Sequence, residues 1–77
     1  MNTDESIQKE PVNDIIVQAK ILMQRKKIIE AETIILTLLN QEEDNFEGLY
    51  ILSVCQRYLQ KYQQALQTLE KIKCLDP

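Results

Sequence analysis

Residues 46–77 read FEGLYILSVCQRYLQKYQQALQTLEKIKCLDP. Their apolar residues step by three and four, Leu49 and Leu52 in one phase and then Tyr62, Ala65, Leu69 and Ile72 in another. Each set falls on one helix face, and the change of phase divides the stretch into two helices joined by a turn. Sliding the sequence by 34 places finds the pattern again. Ile15 then lies on Leu49, Ile16 on Tyr50, Val17 on Ile51, Lys27 on Lys61, Ile28 on Tyr62, Ala31 on Ala65, Ile35 on Leu69 and Leu38 on Ile72. The first copy has its own two phases, Ile15, Ala19, Leu22 and then Ile28, Ala31, Ile35, Leu38.

The boundaries agree. Asp44 and Glu47 have the spacing of a capping box, which predicts a helix beginning near Asn45. Pro11 suits a first helical turn, where its missing N–H costs nothing. Arg25, Lys26 and Lys27 fall where the first helix should end, beside the negative end of its dipole. Four helices follow, over 12–25, 28–40, 45–59 and 62–75. One glycine and two prolines leave nothing from which to build hairpin turns, so the class is all-α. Residues 1–11 read as a disordered polar arm, 12–43 as the first repeat and 44–77 as the second.

The chain has 77 residues, 44% hydrophobic and 27% charged, enough for one small domain and too few for a deep pocket. Burial less ordering entropy comes out near zero for this size, so an isolated segment is expected to melt at low temperature or to self-associate; the alternative to a segment of a larger protein is a free-standing small helical bundle that self-associates. A net charge of −3 gives no footprint for nucleic acid or an anionic membrane. The opening MNTDESIQKEP lacks the pattern of a signal peptide, and no apolar run approaches a membrane span, so a soluble, cytoplasmic chain is expected.

Catalysis by these residues is not expected. Histidine is absent, as are a Gly-rich phosphate loop and a nucleophile beside a base. Glu42, Glu43, Asp44 and Glu47 form an acidic knot that reads as solvated helix ends, short of the regularly spaced oxygens a hard cation needs. Cys55 and Cys74 are too far apart for a CxxC motif and read as inward-facing structural thiols. No cofactor or metal is implied.

The second copy resembles a tetratricopeptide repeat, through Leu49 and Leu52, small Ser53 where the helices would cross, Tyr62, Ala65, Leu69, Ile72 and the closing Asp76 and Pro77. The first copy resembles it less closely, through Ile15, Ala19, Leu22, Ile28, Ala31, Ile35 and Leu38. The period is that of the repeat class. Departures fall at Gln18 and Gln56, and at Lys26 and Gln60, where the turn often has glycine. A non-glycine residue in a left-handed turn costs about 1–2 kcal/mol, so adjusted or frayed turns are expected there.

The resemblance implies four antiparallel helices in two helix-turn-helix repeats, a segment of right-handed α-solenoid. It implies packing through Ala19, Ala31, Leu49, Leu52, Ser53, Tyr62, Ala65, Leu69 and Ile72, and a concave groove that holds a protein or peptide. Carried over by position, the groove comprises Asn13, Ile16, Lys20 and Met23, with Tyr50, Val54 and Arg57. Ile16, Tyr50 and Val54 stand where chaperone-linked members carry the Lys and Asn that grip a terminal carboxylate, so that ligand is not expected. The run GLYILSVCQRYLQKYQQALQTLEKIKCLDP is also similar to the leading repeats of bacterial proteins that continue into a sulfotransferase domain, whose catalytic residues would lie outside these 77. Leu66, Cys74 and Leu75 fall on the face that a next hairpin would cover. A stack that ends there usually turns polar, so more chain, a partner or a second copy is expected on the last helix.

Overall fold

The computed structural model describes residues 12–75, and the statements below concern those residues. Four helices follow one another: α1 (Val12–Gln24), α2 (Ile28–Gln41), α3 (Phe46–Tyr58) and α4 (Tyr62–Leu75). The chain is all-α, with no strand among the described residues. Each predicted helix is present to within one residue at either end. Both ends of α1 and α3 differ by 34 residues, and so do both ends of α2 and α4, so the spacing in the sequence is a spacing of elements.

Helix α3 packs on all three others, whereas α1 packs on α2 and α3, and α4 packs on α3 alone. The core therefore lies among the first three helices. Ile16 and Ala19 of α1, Ala31, Ile35 and Leu38 of α2, and Ile51, Leu52 and Cys55 of α3 form it. Leu22, Met23, Ile28 and Ile34 are half-buried against it. These side chains recur every three or four residues, which is how three short helices bury a common stripe. Gly48 belongs to the close approach of α3 to α2: a Cβ there would stand 3.3 Å from the side chains of Leu38 and Leu39.

The two interhelix turns are the same motif. Lys27 N–H donates to Leu22 O at 2.8 Å and Lys26 N–H to Met23 O at 3.0 Å. Thirty-four residues on, Lys61 N–H donates to Gln56 O at 2.7 Å and Gln60 N–H to Arg57 O at 3.0 Å. These nested bonds are the Schellman closure of a helix, which needs a left-handed residue. Lys26 (φ 64°) and Gln60 (φ 63°) supply it without being glycine. The turns are thus neither adjusted nor frayed, and they carry the strain in place.

Two boundary expectations are corrected. Asn45, not Asp44, caps α3: its Oδ1 accepts from Gly48 N–H at 2.7 Å. Glu47 does not reach back to the cap and instead accepts from Lys20 Nζ on α1 at 2.8 Å. Asp44 stands 3.9 Å from Lys71 of α4, an exposed and loose pair. Arg25, Lys26 and Lys27, expected at the end of α1, instead form the turn itself, and Lys27 is the residue before α2. Pro11, Asp76, Pro77 and the arm at residues 1–11 lie outside the described residues.

Candidate interaction face

The expected packing set is buried throughout the first repeat and split within the second. Ala19, Ala31, Leu49, Leu52, Ser53 and Ala65 are buried. Ser53 is small and satisfied, its hydroxyl donating to Tyr50 O at 2.7 Å. Tyr62 and Leu69, expected to pack, are exposed, and Ile72 is half-buried. The reason is position: among the described residues no helix lies beyond the faces of α4 that carry Tyr62 and Leu69, so their apolar pattern lacks a neighbour to bury it.

The expected groove divides as well. Asn13 and Lys20 are exposed on α1, with Lys20 held by Glu47, and Met23 is half-buried against the core. Ile16 is a core residue, so it is unavailable to a partner. Tyr50, Val54 and Arg57 come together. One turn apart on α3, they line an open cleft of about 510 Å³ with Tyr58 of the same helix and Tyr62 of α4. Tyr58 is not among the residues expected at the site, although its place four residues after Val54 puts it on the same side of the helix. Arg57 forms no ion pair among the described residues. Three phenol rings around a free guanidinium supply aromatic surface, hydroxyl donors and one positive charge.

Polar pairs that sequence spacing does not reveal brace this cleft from behind. Glu32 of α2 is buried, and its two carboxylate oxygens accept from Lys61 Nζ at 3.2 and 3.0 Å. Lys61 ends the turn between α3 and α4, so the pair fixes the base of α4 to α2. Gln56 is buried with its Oε1 2.8 Å from the Thr68 hydroxyl of α4. That hydroxyl has one proton and shares it between Gln56 Oε1 and Gln64 O, 3.0 Å away. Every buried side-chain polar atom described has a partner, which gives α3 and α4 a defined register.

The two cysteines differ. Cys55 is fully buried in the core, and burial, with Glu32 nearby as the lesser cause, pushes its thiol up to about 11. Its thiolate is thereby disfavoured and it is inert at neutral pH. Cys74 is exposed, correcting the inward-facing expectation, as are Leu66 and Leu75 of the same helix. No three acidic or thiol side chains converge as metal ligands among the described residues, and no described helix is long and apolar enough to cross a membrane. No family model, curated protein or solved structure matches the chain.

Proposed function

We propose that the chain is a protein interaction module of the tetratricopeptide type, two helical hairpins of a right-handed stack that presents a binding face rather than a catalytic site. The observation that carries this reading is the Tyr50, Val54, Arg57, Tyr58 and Tyr62 cleft. Tyrosine and arginine are the side chains that most often anchor interfaces, because they offer large rigid area and strong donors at little entropic cost. The 34-residue spacing of both hairpins and both turns supports the repeat reading independently. The cleft is open and no nucleophile lies against it, so its chemistry is that of holding a segment with an apolar side chain between the rings and a carboxylate on Arg57. The similarity to sulfotransferase-linked repeats assigns these residues no catalytic part.

Selection of a displayed peptide library on the chain, followed by titration of the selected peptides, tests the cleft. Tyr50→Ala and Arg57→Ala should each weaken binding about 10-fold or more, as interface anchors do. Affinities unchanged by both substitutions would place the binding surface elsewhere.

A further inference from the structure

The second hairpin leaves bare a face that the first has covered. In the first, α3 lies over Ile16 and Ile35, leaving them 4% and 0% exposed. Their counterparts 34 residues on, Tyr50 and Leu69, are 58% and 40% exposed. Leu66, the counterpart of buried Glu32, is 59% exposed. The residues of α3 that do the covering, Ile51 and Cys55, also have counterparts, Val17 and Ile21 of α1, which are 53% and 40% exposed. One chain thus displays both halves of a junction that it makes once internally.

We infer that a second copy of this chain docks head to tail, its α1 lying on the α3–α4 face as α3 lies on the α1–α2 hairpin. This rests on the reading of that face as an interaction surface, and it names the occupant.

Some polar residues pair in the same register. Gly48 approaches Leu38 and Leu39 in the internal junction. The corresponding residues between copies are Asp14 against Ile72 and Lys73, a carboxylate opposite an ammonium on a side chain flexible enough to yield. Leu52 shares a groove with Leu36 and Leu39. Between copies, Gln18 replaces Leu52 and Glu70 and Lys73 replace the two leucines, so a polar residue meets polar ones. The internal ion pairs do not recur. Lys20–Glu47 becomes Val54 with Asn13, and Lys61–Glu32 becomes Lys27 with Leu66, which can cover the lysine's aliphatic stem. The contact uses different surfaces on the two partners, so it does not close at a dimer and extends copy by copy.

Sedimentation of the 77-residue chain over a concentration series is the test. The mean mass should rise with concentration past that of a dimer. Tyr62→Glu with Leu66→Glu removes the trailing face, and Val17→Glu with Ile21→Glu removes the leading one; all four positions are exposed, so helicity should be unchanged. Each double variant alone should be monomeric, and an equimolar mixture should form a one-to-one dimer and nothing larger. A mixture that stays monomeric, or a trailing-face variant that still assembles, overturns the arrangement, as does a wild-type chain monomeric to about 1 mM. A milder pair guards against misfolding: Asp14→Lys should weaken association about two- to five-fold, and adding Lys73→Glu should restore it. If the chain is monomeric while selected peptides still lose affinity on Tyr50→Ala, the second copy is refuted and the interaction face stands.

Discussion

The first hairpin, α1 with α2, and the second, α3 with α4, share their lengths, their turn and their apolar spacing, yet one is interior and the other is surface. Ile35 and Leu69 make the point most sharply, since they are the same position of the repeat and only one has a helix across from it. Burial here is conferred by the next helix in the chain and not by the hairpin's own pattern.

Breaking the symmetry at that position should give the largest effect. Ile35→Ala is expected to destabilise the fold by about 3–4 kcal/mol, the cost of a cavity in a close-packed core, whereas Leu69→Ala should cost about 1 kcal/mol in the monomer. Chemical denaturation followed by circular dichroism compares them, and equal losses would mean that the second hairpin is as well covered as the first.

The cysteines offer a second contrast, one thiol in the core and one exposed on α4. Cys55 holds its proton to about 11 in the fold and releases it near 9.0 when unfolded. Its contribution to stability is therefore whole below pH 9.0, falls as the pH rises from there and is lost above about 11. Denaturation midpoints between pH 8 and 11 should decline in the wild type and decline less in Cys55→Ala. An alkylating reagent at neutral pH should label Cys74 at once and Cys55 only as the fold opens.

The smallest effect sharpens the likeness of the hairpins. Lys26→Gly and Gln60→Gly each relieve a left-handed non-glycine residue at about 1–2 kcal/mol and add about 0.4–1 kcal/mol of unfolded-chain entropy. Each should raise stability by roughly 0.5–1 kcal/mol, read as a higher melting temperature. A loss at either turn would show that its lysine or glutamine side chain holds something the backbone does not.

Helix number, bounds and turn positions were legible because a 34-residue period writes the same constraint twice, so an ambiguous residue in one copy is settled by its counterpart in the other. The cap of α3 was not, because Asp44 and Asn45 are adjacent and both can cap a helix; the geometry of the preceding turn, in which Asn45 N–H donates to Glu42 O, decides between them. Ile16 and Tyr62 were misplaced for another reason. Period identifies a face, but it does not reveal whether a neighbour covers that face. Glu32 with Lys61 joins residues 29 apart in different hairpins, and no local pattern marks such a pair. Tyr50, Val54 and Arg57 were placed together by repeat position, and Tyr58 and Tyr62 complete the cleft.

Helix α4 packs on α3 alone, whereas α3 is held by three helices. Local opening therefore has a direction. Detaching α4 gives up Ala65, the Thr68 hydrogen bond and one flank of the tyrosine cleft, while the core around Ile35 and Cys55 remains closed. Amide exchange should run fastest in α4, and whatever occupies the cleft should slow it there, so that binding and the folding of the last helix become one equilibrium.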